Sequence, residues 1–282
     1  MCRDQAIPPA RVPVGPLVTP PPMASREEGG AGKPLIIGCV QARMGSTRLP
    51  GKALVDIAGL TMLHRVTSRL GRTPGVDEVV IATSTHPDDD AIVRHGADLG
   101  LRVFRGGEMD VLGRYALVTR ATGADLVVRV TSDCPFLDPV LASTVVAAVT
   151  DGVDYAANNL EPRTFPRGLD VEVMTAVALL EADRLDVDPG TREHVTPFIR
   201  DSGRYRLAAV SHDPDLSTIR WTVDTVEDLE LARTMADHFD GRNDMSWEEL
   251  LGAWNSHPSW WVLNDRVEQK PVIRTMPQDH RR

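Results

Sequence analysis

The feature that most constrains the fold is a rhythm. From Pro34 to Thr131, short apolar runs rich in β-branched residues ("PLIIGCV", "DEVVIATS", "LRVF", "ADLVVRVT") alternate with longer amphipathic stretches ("LTMLHRVTSRL", "PDDDAIVRHGADLG", "EMDVLGRYALVTRATG"). An uninterrupted apolar run of this length fits a strand buried on both faces of a parallel sheet. Strands separated by helices of this length make βαβ units, so the expected class is α/β with a doubly wound, mostly parallel sheet. In such a sheet ligands bind beyond the carboxyl ends of the strands.

After Thr131 the rhythm changes. "LDPVLASTVVAAVTDG" opens on Asp-Pro, a helix cap followed by a first-turn proline, and is expected to run as a helix towards Gly152. "VDYAANN" and "RGLDVEVM" read as strands around the turn-rich "LEPRTFPRG", and helices are expected over 175–186 and 190–201. Further strands are expected at "YRLAAVSH" and at "IRWTV", the latter ending at Asp224. Thr225 and Asp228 then form a capping-box pair opening an amphipathic helix. The expected organisation is a disordered Pro-rich leader over 1–33, with seven prolines, then a main α/β domain over 34–245. Within that domain, about 160–200 is expected to form a small hairpin and helix insertion serving acceptor binding and dimerisation. A helix and tail over 246–264, with four tryptophans, should pack back on the domain, and 265–282 should be disordered.

Composition removes several functions. A net charge of −9 with no basic stripe argues against a general nucleic-acid binder, so any phosphate chemistry must be local. Three scattered cysteines make neither a disulfide framework nor a zinc site, and no apolar run is long enough for a bilayer. A cytoplasmic protein with no membrane partner is expected.

The chemistry gathers at strand ends. Lysine occurs at only three positions, and one of them, Lys52, shares the turn after the first strand with Arg43 and Arg48, in "QARMGSTRLPGK". Asp133 in "RVTSDCP" and Asp224 in "RWTVDT" should reach the same sheet edge. Two carboxylates with a triphosphate suffice to hold Mg²⁺, and the three cations would neutralise a leaving pyrophosphate, a combination that points to nucleotidyl transfer. Each element also has a plainer explanation: Asp133 and Asp224 as caps, the basic loop as a solvated turn. Their convergence on one edge favours the functional one.

These motifs carry a resemblance. "QARMGSTRLPGKAL", "VVIATS", "DVLGRY", "RVTSDCPFLDP", "RTFPRGLDVEV", "REHVTPFI" and "RWTVDTVEDLELA" follow the order of the cytidylyltransferases of the spore-coat polysaccharide biosynthesis branch, relatives of the CMP-Kdo and CMP-acylneuraminate synthetases. The resemblance covers about 35–264. It implies a nucleotide-diphospho-sugar transferase-like fold, CTP as donor, Mg²⁺ as cofactor, an acidic sugar or sugar derivative as acceptor, and a homodimer. It places Arg43, Gly45, Ser46, Arg48 and Lys52 on the triphosphate, with Gln41, Ala42, Ser84 and Thr131 also around the nucleotide, and Asp133 and Asp224 on the metal. "FPRGLDVEVM" and "REHVTPFI", with Arg163, Arg167, Asp170, Glu172 and His194, would face the acceptor. Arg163 and Arg167 equally suit solvated surface positions, and His194 a structural one.

One departure stands out. Thr131-Ser132-Asp133-Cys134-Pro135 replaces a Q-G-D-E-P stretch whose Gln helps read cytosine, so main-chain groups near Gln41 and Ala42 are expected to supply more of the base recognition. Three other features are expected to be structural. Cys134 lacks a His partner and fits a packed thiol; the "DDD" at 88–90 and Asp110 fit helix starts, with Arg114 one turn on towards the site. Two rival functions remain at this point. A glycosyltransferase using a ready-made nucleotide sugar leaves the three cations underemployed, and a non-catalytic nucleotide-binding protein leaves both carboxylates without a task.

Overall fold

The computed structural model describes residues 33–268. The expected leader lies outside them except for Lys33, as does the expected tail beyond Glu268. Nine strands are present among them: β1 Ile36–Gln41, β2 Asp56–Ile57, β3 Leu60–Thr61, β4 Glu78–Ser84, β5 Arg102–Gly106, β6 Leu126–Thr131, β7 Tyr155–Ala157, β8 Glu172–Thr175 and β9 Leu207–Ala209. The helices are α1 Met62–Leu70, α2 Asp90–Asp98, α3 Val111–Thr122, α4 Pro139–Ala147, α5 Ala176–Leu185, α6 Pro189–His194, α7 Pro197–Asp201, α8 Val226–His238, α9 Trp247–Ser256 and α10 Pro258–Trp261.

Seven strands form one sheet in the order β5-β4-β1-β6-β8-β7-β9, while β2 and β3 pair as a separate small hairpin. β1 is central and parallel to both β4 and β6; only β8 is antiparallel to its neighbours. The chain leaves β1 towards β4 and β5 and then crosses to β6 on the other side. That reversal opens a crevice at the carboxyl ends of β1 and β6. Alternate residues of β1 serve opposite faces: Ile36 and Val40 pack with Leu63, Val66 and Ala142, and Ile37 and Cys39 with Leu112, Tyr115 and Ala116. Both faces are covered, which is why the strand is an apolar run rather than an alternating one.

Several boundaries differ from expectation for identifiable reasons. The segment expected as one helix over 190–201 is two, broken where Val195 takes φ 70° ahead of Pro197. α4 ends at Ala147, short of Gly152, and "PDD" at 87–89 is a 3₁₀ turn leading into α2. The largest difference is "IRWTV", which joins no ladder beyond a single bridge from Arg220 to Arg167. Its amides bond to loops instead, Trp221 to the Arg167 carbonyl at 2.7 Å and Val223 to the Asp133 carbonyl at 2.8 Å. Gly168, at φ 102°, permits this approach, since a Cβ there would lie 2.5 Å from the Thr222 nitrogen.

The C-terminal helices contribute side chains to one core cluster. Trp221, Phe136, Met235, Trp247 and Trp254 form one core cluster, and Trp260 is buried, although Trp261 is exposed. Arg65 and Arg69 on α1 are fully buried. Arg65 reaches the carbonyls of Ile57, Ala58, Gly241 and Arg242; Arg69 reaches those of Leu137, Asn243 and Met245.

Candidate active site

The loop after β1 is built for rigidity. Gly51, at φ 70°, closes it into the short 3₁₀ turn Lys52–Leu54, and the Gly51 amide bonds back to the Met44 carbonyl. The Met44 amide donates to Asp89 Oδ1 at 2.7 Å, and Asp89 Oδ2 takes the amide of Ser84 at 3.0 Å. Ser84 is fully buried, its hydroxyl also on Asp89, and it does not line the cavity beyond the loop. Its expected contact with nucleotide is therefore corrected: Ser84 supports the loop through Asp89. Asp89 was not recognisable in the sequence, because within "DDD" it has the signature of a helix-start acid.

Lys52 Nζ lies 2.8 Å from Asp133 Oδ2 and 2.7 Å from Asp224 Oδ1. Asp224 Oδ2 is held at 3.0 Å by both Arg48 and Arg220. The expected capping box positions Asp224: Thr225 caps α8, and Asp228 Oδ2 takes the amides of Asp224 and Thr225. Asp228 also accepts two bonds from Arg220 at 2.9 Å and one from Asn264. Thr131 donates its hydroxyl proton to Asp133 Oδ1. Burial works to raise the Asp133 carboxyl, but the Lys52 ammonium and the bonds from Lys52 and Thr131 outweigh it and bring it down to about 2. Burial lowers the Lys52 ammonium while Asp133 and Asp224 raise it, and the carboxylates win.

Around this centre lies a cavity of about 380 Å³, lined by Gln41, Ala42, Arg43, Gly45, Ser46, Arg48, Lys52, Val111, Arg114, Thr131, Ser132, Asp133, Glu193, His194 and Asp224. Arg43 lies 3.5 Å from Glu193. Two expected main-chain contacts are already committed, since the Ala42 amide donates to Ala82 and the Gln41 carbonyl accepts from Ser132. The side chains of Gln41 and Arg114 line the same cavity. Arg114 is buried and its Nε has no partner.

A second cavity of about 230 Å³ shares Thr131, Asp133, His194 and Asp224 with the first. Arg163, Arg167, Asp170 and Glu172 line it, and so do Arg129, Asn159 and Arg200, which the sequence did not single out. Arg163 pairs with Asp170 and Arg129 with Glu172, which also takes Tyr155 and Thr196 hydroxyls. Arg129 Nε, Arg200 Nε and Asn159 Oδ1 are buried without hydrogen-bond partners. Although exposed, His194 has its imidazole lowered by the burial around it; Glu193 opposes this, and Arg129, Arg200 and Arg43 reinforce it.

Two further features are structural. Cys134 is buried, and burial together with Asp133 raises its thiol well above the usual range, as fits a packed thiol. Asp110 caps α3 and bonds Arg192.

A mostly parallel sheet with helices on both faces, and a cation-rich loop meeting two carboxylates at its switch point, define an α/β protein of the nucleotide-diphospho-sugar transferase type. The family profile described as cytidylyltransferase matches residues 37–236, and the chain belongs to that family. The spore coat polysaccharide biosynthesis protein SpsF of Bacillus subtilis is 34% identical over 232 residues, covering 79% of this chain and 95% of that protein. A 3-deoxy-manno-octulosonate cytidylyltransferase of Geobacter sulfurreducens is 35% identical over 130 residues, 45% of this chain and 50% of that protein. A cytidylyltransferase of Leptospira borgpetersenii aligns with a TM-score of 0.75 at 28% identity, covering 85% of this chain and 99% of that one.

Proposed function

We propose that the enzyme transfers CMP from CTP to a hydroxyl of an acidic sugar or sugar derivative, releasing pyrophosphate. One observation carries this reading: two cavities, one rich in phosphate-binding groups and one holding guanidinium groups with unmet hydrogen bonds, meet at Asp133 and Asp224. Arg43, Gly45, Ser46, Arg48 and Lys52 bind the triphosphate, and Gln41 and Arg114 line the nucleoside end. Arg163 and Arg167, with Arg200, Asn159 and His194, bind the acceptor; the orphaned donors suit an anionic oxygen and the Asn159 carbonyl a hydroxyl.

Asp133 and Asp224 offer hard oxygen donors to one point, as their shared contact with Lys52 requires, and among the described residues no cluster of three or more metal-ligating side chains exists. That donor set fits Mg²⁺, which takes one or two carboxylates together with phosphate oxygens. Bound there, Mg²⁺ supplies charge stabilisation at the α-phosphate. The protein's own contribution is alignment: the acceptor cavity holds a hydroxyl in line with the α-phosphate while the cationic loop takes the charge of the departing pyrophosphate.

We further propose a cytoplasmic homodimer contacting through about 160–200. Pyrophosphate release with each of four nucleoside triphosphates against a panel of sugar acids and sugar phosphates tests the activity. CTP with a sugar acid should give the largest release; a purine preference, or turnover only with uncharged sugars, would overturn the assignment.

A further inference from the structure

The cluster at the meeting point of the two cavities is closed on itself. Three carboxylates, Asp133, Asp224 and Asp228, face three cations, Lys52, Arg48 and Arg220, at 2.7–3.0 Å. The Asp133 and Asp224 oxygens all have partners, Asp133 Oδ1 taking the Thr131 hydroxyl and the Cys134 thiol and the other oxygens the cations. A divalent cation entering this cluster alone would add two positive charges to a balanced, partly buried group and would have to evict the Lys52 ammonium. The Lys52 side chain is only 15% exposed, and the Val223 carbonyl at 3.4 Å is its remaining contact. A triphosphate changes the balance, because it brings negative oxygens to which Lys52 and Arg48 transfer, releasing the carboxylates.

We propose that Lys52 is a positioning residue with a second task. It occupies the carboxylate pair as an internal cation and thereby makes metal binding conditional on the nucleoside triphosphate. The inference rests on the assignment of Asp133 and Asp224 as metal ligands in the reading above. Its consequence is ordered loading: free metal leaves the empty site alone, and metal enters together with its nucleotide.

The test is Mn²⁺ binding to the full chain without nucleotide, followed by loss of the free-ion EPR signal. Lys52→Met removes the internal cation and should bind Mn²⁺ at least about tenfold more tightly than the wild type. Lys52→Arg keeps a cation there and should resemble the wild type. The double variant Lys52→Met with Asp224→Asn should lose the gain. Mn²⁺ should also raise the melting temperature of Lys52→Met beyond its effect on the wild type, which shows that the variant is folded when it binds. Wild type and Lys52→Met binding Mn²⁺ equally tightly, with Asp224→Asn abolishing both, would overturn the inference while leaving the metal ligands standing. No Mn²⁺ binding by folded Lys52→Met would overturn both.

Discussion

Lys52 lies 81 residues from Asp133 and 172 from Asp224, yet its ammonium touches both. Their residue types were legible in the sequence, and so were the positions of Lys52 and Asp133 beyond the ends of β1 and β6, because turn formers after an apolar run place side chains at a known edge; Asp224 was expected at the end of a strand that the structure does not form. Their mutual contact was not legible, since the loops' closing angles come from tertiary packing. Asp89 was illegible altogether: its work on Met44 and Ser84 is done by a side chain whose local sequence is that of a helix start. Replacing Asp133 or Asp224 by Asn should cut turnover by at least about a hundredfold, as expected when a group aligned on transition-state charge is lost. Circular dichroism should show the fold intact; turnover near wild type would release that residue from its role. Asp133 also predicts a pH effect. Its folded carboxyl titrates near 2, below the unfolded value of about 3.9, so it contributes stability that is complete above the latter and is lost as the pH falls towards 2. Melting temperature against pH should therefore fall less steeply below pH of about 4 in Asp133→Asn than in the wild type.

At the scale of elements, the first four strands of the main sheet matched their apolar runs; in β1 and β4 burial on both faces leaves little choice of residue, whereas β5 is a partly exposed edge strand. "IRWTV" misled because its composition is that of a strand while its backbone partners are loops. Nothing in the α1 pattern announced that Arg65 and Arg69 point inward; at helical spacing they resemble solvated cations. Each instead gathers carbonyls of the segment leading into α9. Arg69→Met should cost about 3 kcal/mol, because several buried carbonyls lose their donor at once. Chemical denaturation measures it, and a loss under about 0.5 kcal/mol, typical of a surface substitution, would show the clamp to be incidental. Activity at a temperature where the variant is folded should remain, since Arg69 touches neither cavity.

At the scale of the molecule, sheet class and ligand edge followed from the alternation of strands and helices, whereas assembly did not. Val177 and Val187, 75% and 87% exposed, are apolar side chains in the region proposed for the dimer contact. Light scattering should give about twice the chain mass of 30.8 kDa, and Val187→Asp should shift it towards the monomer. A wild-type monomer at micromolar concentration would remove that proposal. The reversed direction of β8 has an evolutionary consequence. Gln41 and Thr131, which line the first cavity, close the trailing ends of the parallel strands β1 and β6, but Asp170 and Glu172 arrive at the leading end of β8, after a turn-rich crossing from β7. On the proposed reading, several acceptor-side groups, Asn159, Arg163, Arg167 and Asp170, sit on one stretch of chain apart from the cationic loop, free to diverge at its own rate, while Thr131, Asp133, His194 and Asp224 stay common to both cavities. Grafting 158–171 from a relative with another acceptor should exchange the preferred acceptor and leave CTP affinity within about threefold; a collapse of CTP affinity would show that the two stretches evolve as one.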